Sequence, residues 1–131
     1  MEQTFDKKHA DLTRRIIGAA MEVHNTLGPG FQELIYQRAL AIELPHHELS
    51  FVREFEMPIF YREQQIGTRR VDFLVENIIS VELKALSKLE DVHLAQAINY
   101  LEAYNLEVGL LINFGTPRLQ FHRLQNKRFK A

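Results

Sequence analysis

Alternation of apolar and polar residues over residues 71–84 constrains the fold of this chain more than any other feature. A three-residue connection over residues 76–78 would keep all the apolar members on one face of two paired strands, whereas a two-residue turn would split them. The pattern therefore predicts a β-hairpin in which Val75 pairs with Ile79 and Asp72 lies across from Glu82. One face would carry Val71, Phe73, Val75, Ile79, Val81 and Leu83, and the other Asp72, Leu74, Ser80, Glu82 and Lys84.

The polar face of this hairpin suggests chemistry. Two carboxylates placed opposite each other in a sheet repel, and a cation between them would remove the repulsion. Mg²⁺ or Mn²⁺ suits a pair of carboxylates, because both ions prefer oxygen ligands. Lys84 lies on the same face as Glu82, where an ammonium group can hold an attacking water or a phosphate oxygen. The spacing alone also fits a solvated polar face with a simple Lys–Glu pair.

Two helices are predicted ahead of the hairpin. The first has an apolar stripe at spacings of three and four residues and ends at Gly28-Pro29-Gly30. The second spans residues 31–44 and is broken by Pro45. The predicted stripes are Leu12, Ile16, Ala20, Val23 and Leu27 in the first helix, and Phe31, Ile35, Ala39 and Ile42 in the second.

The remaining chain is predicted to alternate between strands and one helix. Residues 51–55, 59–62, 66–75 and 79–85 are typical of strands. Ser87 and Glu90 match a capping box for a third helix, whose stripe is Leu94, Ile98 and Leu101. Residues 108–114 predict a strand that is covered on both faces, and residues 119–124 an edge strand. This order indicates one α/β layered domain over residues 1–131.

Composition excludes several classes of protein. The absence of cysteine rules out disulfides, cysteine-ligated zinc and cysteine nucleophiles. No apolar run approaches the roughly 20 residues of a membrane span, and the polar N-terminus has no apolar signal core, so a cytoplasmic protein is expected. The net charge of −1 argues against tight non-specific binding of nucleic acid. It still allows an acidic site flanked by local basic pairs, such as Arg69-Arg70.

Two motifs carry a resemblance to a known family. Asp72 followed by Glu82-Leu83-Lys84 resembles the D…(D/E)-x-K signature of the PD-(D/E)XK nucleases, with Val71 where the signature has proline. Residues 30–36, GFQELIY, resemble the motif of the GxxExxY family, which is assigned to that superfamily. The resemblance covers most of the chain. It implies a restriction-endonuclease-like mixed β-sheet flanked by helices, with the core order αβββαβ and an extra N-terminal helix.

The resemblance also implies roles for individual residues. Asp72 and Glu82 would bind Mg²⁺ or Mn²⁺ with the backbone carbonyl of Leu83, and Lys84 would orient or activate water. Glu33, on the side of its helix that carries Tyr36 and Leu40, would complete the catalytic acidic cluster. The expected substrate contacts are Gln96, Tyr100 and Tyr36, although packing within the core is the alternative for both tyrosines.

The function expected from this resemblance is that of a divalent-metal-dependent nuclease, with DNA favoured over RNA as substrate. One alternative is a non-enzymatic module that binds nucleic acid or protein and retains the nuclease fold. Another is a different metal-dependent hydrolase. The small size and near-neutral charge favour action on particular structures or ends, or delivery by an unidentified protein partner. A homodimer is expected, because nine phenylalanines in so small a domain leave apolar surface to cover.

Overall fold

The computed structural model describes the backbone of residues 2–131 and the side chains of residues 9–131. Its elements confirm the predicted α/β layered order. A short 3-10 helix, Leu44–His47, follows the second α-helix. The α-helices and strands are α1 (Glu2–Leu27), α2 (Glu33–Glu43), β1 (Phe51–Tyr61), β2 (Gln64–Val75), β3 (Ile79–Lys84), α3 (Asp91–Tyr104), β4 (Val108–Asn113) and β5 (Gln120–Gln125).

The strands form one mixed sheet in the order β1-β2-β3-β4-β5. Strands β3 and β4 run parallel and are connected through α3, whereas the other neighbouring pairs are antiparallel. Every residue of β4 is buried, which confirms that this strand is covered on both faces. The last strand, β5, lies at the edge as predicted.

Helices cover both faces of the sheet. Alternate residues of β4 belong to different apolar clusters: Leu110 and Ile112 pack with residues of α1 and α2, whereas Leu111 packs with residues of α3. The predicted stripes of α1 and α3 are confirmed, because their members are buried or pack against these clusters. No helix in the described part of the chain is long and apolar enough to cross a membrane.

The apolar stripe predicted for α2 was wrong at three of its four members, because of these four residues only Ala39 packs against the core. Ile35 and Ile42 are exposed, as is Phe31, which lies before the helix begins. The buried side of the helix instead carries Tyr36 and Leu40. The ring of Tyr36 stacks on Phe114 with 4.7 Å between the ring centroids, and this contact orients the helix toward the sheet. The buried side of α2 is therefore the side on which the sequence analysis placed Glu33, together with Tyr36 and Leu40.

Two boundaries also differ from the predictions. The predicted strands 51–55 and 59–62 form one continuous strand, with Glu54 in the left-handed region at φ 51°. Helix α3 begins at Asp91 rather than at Ser87. Its capping box is formed by Glu90 and His93, whose Nδ1 accepts a hydrogen bond from the Glu90 N–H at 2.9 Å. His93 is therefore a capping residue.

Candidate active site

The site lies where β2 and β3 separate. The two strands pair from Val75 opposite Ile79 to Phe73 opposite Val81, which confirms the predicted Val75–Ile79 pair. Asp72 and Glu82, which were predicted to lie opposite each other, are not a paired position. Beyond Phe73 this pairing ends, while β2 continues alongside β1 to Gln64. We call the space between the separated strands the β2–β3 gap.

Asp72 occupies the point of separation. Its Oδ2 accepts a hydrogen bond from the backbone N–H of Leu83 at 2.7 Å. The side chain thus pairs a backbone donor that would otherwise be left without a partner where β2 and β3 separate. Its Oδ1 accepts one from Nε2 of Gln37 at 3.2 Å. Burial raises the pKa of Asp72, and the Leu83 N–H, the Lys84 charge and Gln37 oppose that rise. The carboxyl group is therefore held from two sides by donors that favour its ionised form.

Glu82 is half-buried on β3 and belongs to the same acidic group. Burial and the nearby Asp72 carboxylate raise the pKa of Glu82 to about 7, against the opposing charges of Arg69 and Lys84. Glu33 adds a smaller contribution in the same direction as Asp72. Without a bound cation, Glu82 is thus partly protonated at neutral pH.

Glu33 approaches this group from the first turn of α2. Its side chain is exposed, yet partial burial of the carboxyl group and the charge of Asp72 raise its pKa, while Lys84 lowers it. Glu33 therefore lies at the solvent edge of the acidic group rather than in bulk solvent far from it.

Lys84 supplies the positive charge that these carboxyl groups share. The side chain is half-buried, and it lowers the pKa of Asp72, Glu82 and Glu33 alike. The structure thus brings the four side chains predicted to be catalytic into one electrostatically coupled group.

The surroundings of Gln96 include Arg69, which the sequence analysis named in a basic pair that could flank an acidic site but gave no individual role. Gln96 is exposed on α3, and its backbone carbonyl accepts a hydrogen bond from the Arg69 guanidinium. Arg69 also donates to Oδ1 of Asn99 at 2.9 Å and lies 5.9 Å from the centroid of the Tyr100 ring. Its position three residues before Asp72 on one strand was the available signal. Arg69 brings a positive charge close to Glu82 from the α3 side.

The structure corrects the predicted substrate contacts of two tyrosines. Tyr36 is fully buried, and its hydroxyl donates to the Gly28 carbonyl and accepts from the N–H groups of Gly30 and Phe31. Tyr100 is also fully buried. Both side chains are packed in the core, which was the alternative to substrate contact, and neither lines an open groove.

A pair of tyrosine hydroxyls lies buried beside the site. Tyr100 interacts electrostatically with Glu82 and with Tyr104. Burial raises the pKa of both hydroxyls, so they remain protonated at neutral pH. Their rings pack against each other with 4.5 Å between the ring centroids.

The donor set fits a hard divalent cation. Among the side chains described, no three of the His, Asp and Glu type already converge as a metal site. Mg²⁺ does not require such a cage, because it commonly binds one or two carboxylates and retains several waters. The N–H and carbonyl of one strand residue point to the same side. Since the Leu83 N–H points to Asp72, the Leu83 carbonyl is directed toward the β2–β3 gap as well.

Comparison with known proteins agrees with this fold. The family model of the PD-(D/E)XK nuclease superfamily matches residues 10–124, so the chain belongs to that superfamily. A solved structure, the crystal structure of SSO0001, superposes with a TM-score of 0.56 at 21% sequence identity, over 72% of this chain and 50% of that one. The chain thus spans about half the length of that protein. No curated protein matches the chain.

Proposed function

We propose that this protein is a nuclease that depends on Mg²⁺ or Mn²⁺ and hydrolyses phosphodiester bonds, with DNA favoured over RNA. One observation carries the proposal: Asp72, Glu82 and Lys84 form one coupled group beside the β2–β3 gap of a nuclease-superfamily fold. Burial and the adjacent Asp72 carboxylate raise the pKa of Glu82, and a cation between the two carboxyl groups would favour their ionised forms. The preference for DNA rests on analogy with the superfamily.

The residues divide into ligands and a cationic helper. Asp72 and Glu82 would hold the metal ion, aided by the Leu83 carbonyl and by Glu33 at the solvent edge. When bound, the ion would lower the pKa of a water molecule and stabilise charge on the phosphate. Lys84 carries a positive charge and so is not a ligand at neutral pH. It would instead hold the attacking water or a phosphate oxygen.

Two further features support a phosphate-containing substrate. Arg69 is anchored on α3 by Gln96 and Asn99 and lies close to Glu82, where its guanidinium could contact a phosphate. Gln96 itself is exposed beside this anchor.

We assign the chain to the GxxExxY group within the superfamily. The spacing of that motif has a structural counterpart, since the Gly30 N–H donates to the Tyr36 hydroxyl while Glu33 lies at the site.

Paired cleavage and binding measurements test the proposal. The full chain is incubated with labelled single- and double-stranded DNA and RNA, with Mn²⁺, Mg²⁺ or a chelator, and Mn²⁺ binding is followed by calorimetry. Lys84→Ala should lower turnover by at least about 100-fold while retaining metal affinity, because Lys84 acts on water or phosphate. Asp72→Asn should weaken Mn²⁺ binding itself. Lys88→Ala, an exposed lysine outside the acidic group, is the matched control.

Each contrary outcome has a distinct meaning. A wild-type protein that binds no divalent ion at millimolar concentration would rule out the metal-dependent nuclease and favour a binding module. Metal binding with cleavage of other phosphoesters, but not of nucleic acid, would favour the different hydrolase. Equal cleavage by wild type and Lys84→Ala would show that the role given to Lys84 is wrong.

A further inference from the structure

A buried amide outside the coupled group contacts Asp72. Gln37 lies in the second turn of α2 and is only 5% exposed. A buried amide is costly unless its donors and acceptors are paired. Gln37 is paired on both sides: its Oε1 accepts from the Arg53 guanidinium at 2.6 Å, and its Nε2 donates to Oδ1 of Asp72 at 3.2 Å.

The chemistry of Arg53 fixes the direction of this amide. A guanidinium group has donors and no acceptor, so the carbonyl oxygen of Gln37 must face Arg53. The amide nitrogen is then directed to Asp72. Without Arg53 the amide could turn over and present its oxygen to the Asp72 carboxylate, which would repel it. Arg53 thus ensures that the amide nitrogen of Gln37, and not its carbonyl oxygen, faces Asp72.

The resulting arrangement leaves Asp72 free to bind a further group. Gln37 occupies one site on Oδ1, and the Leu83 N–H occupies one site on Oδ2. An ionised carboxylate has about four acceptor sites, so each oxygen keeps one available. Because a carboxylate held at both oxygens cannot rotate freely, the available sites keep a fixed direction.

We propose that Gln37 and Arg53 are positioning residues, which together hold the Asp72 carboxylate in the orientation needed to bind a divalent cation. This proposal rests on the proposed function for the identity of the ligand, a divalent cation. It adds a second residue of α2 and one residue of β1 to the site, and assigns to neither a contact with the cation or the substrate. Arg53 acts through Gln37, so the two residues form one unit.

Amide hydrogen exchange of metal-free protein tests the orientation directly. The Leu83 amide reports on Asp72 because it donates to Oδ2. Gln37→Met and Arg53→Met should accelerate exchange at Leu83 by about three- to tenfold, as expected for a weakened hydrogen bond, while the buried Leu110 amide in β4 is unaffected. Arg53→Lys should retain protection, because lysine also has donors alone. Arg38→Met removes an exposed charge beside Gln37 and should leave Leu83 unchanged.

Calorimetric Mn²⁺ titration supplies the second readout. Gln37→Met should lower Mn²⁺ affinity by about 10- to 100-fold, the range seen when a ligand loses its supporting hydrogen bond. Arg53→Met should add no further loss in the Gln37→Met background, because the two residues act as one unit. Fully additive losses would overturn that coupling.

The two readouts separate failure of this proposal from failure of the proposed function. If wild type binds no Mn²⁺, the proposed function fails, and Leu83 exchange still decides whether Gln37 and Arg53 orient Asp72. Unchanged Leu83 exchange in Gln37→Met would overturn the positioning role even in an active nuclease. Should Gln37→Met fail to fold, the comparison of Arg53→Met with Arg53→Lys decides, because Arg53 is exposed and its replacement leaves no core cavity.

Discussion

The carboxyl group of Glu82 has different proton affinities in the folded and unfolded chains. Its pKa is about 7 in the folded protein, against an ordinary value of 4.5. A raised acid pKa means that the folded state holds the proton more tightly, so its contribution to stability is complete below about pH 4.5. That contribution falls as the pH rises and is lost once the pH passes about 7. The raised pKa values of Asp72 and Glu33 act in the same direction.

Metal-free protein should therefore be less stable at pH 8 than at pH 5. The rise in the pKa of Glu82 corresponds to at most about 3 kcal/mol, and partial solvent access reduces this figure. Urea unfolding with a chelator present measures the difference, and Glu82→Gln should remove much of it. Glu76, whose pKa is lowered, affects stability mainly at more acidic pH. Equal slopes in wild type and Glu82→Gln would contradict this account.

Tyr36 shows how one side chain stabilises the connection between α1 and α2. Its hydroxyl satisfies the Gly28 carbonyl and the N–H groups of Gly30 and Phe31. Tyr36→Phe should lower the free energy of unfolding by about 1–3 kcal/mol, because these groups lose their buried partner. Chemical denaturation measures the loss. Tyr61→Phe, at a position that is 63% exposed, should change stability by less than about 0.5 kcal/mol. Similar small effects at both positions would show that the hydroxyl of Tyr36 is dispensable.

At the scale of elements, the irregularity in β1 lies opposite the acidic group. The β1–β2 pairing omits the position where Glu54 faces Asp72, and Glu54 has φ 51°. A left-handed conformation costs a residue with a side chain roughly 1–2 kcal/mol, and glycine avoids this cost. Strand irregularities often occur beside active sites, where they alter the direction of a side chain.

Glycine should therefore be favoured at position 54, unlike at an ordinary strand position. We expect Glu54→Gly to be more stable than Glu54→Ala by about 1 kcal/mol in urea unfolding. The control is Val52 on the same strand, where glycine should be less stable than alanine by about 0.5–1 kcal/mol. If glycine is the worse residue at both positions, the backbone at Glu54 is not strained.

Local patterns were enough to predict much of the fold. Alternation over residues 71–84 predicted the Val75–Ile79 register, because a slip of one residue would have exposed the apolar side chains. Periodicity predicted the buried sides of α1 and α3. It failed for α2, where the packing of Tyr36 against the distant Phe114 decides which side is buried.

Local patterns predicted less of the site. The spacing of Asp72, Glu82 and Lys84 indicated that they share a strand face, and the family motif indicated Glu33. Gln37 and Arg53 could not be found in this way, because their contacts join residues 16 and 35 positions apart in the chain. Hydrogen bonds between distant elements leave no periodic pattern in the sequence.

At the scale of the whole molecule, α2 links the acidic group to an exposed apolar surface. Glu33 lies at the edge of the site, and the next residues, Leu34 and Ile35, are 44% and 38% exposed. Ile42, further along the helix, is 69% exposed. A two-fold interface through this helix would cover apolar surface and bring two acidic groups together, an arrangement that would suit cutting two strands.

We therefore expect the protein to form a homodimer through α2. Sedimentation at micromolar concentration should give the mass of two chains for wild type and of one chain for a Leu34→Glu, Ile42→Glu double variant. Introduced carboxylates would meet their symmetry-related copies across such an interface and repel them. Ile66→Glu at the end of the β1–β2 hairpin, 67% exposed, adds a similar charge away from α2 and should remain dimeric. A wild-type protein that sediments as a monomer would exclude the dimer, whereas a double variant that stays dimeric would place the interface elsewhere.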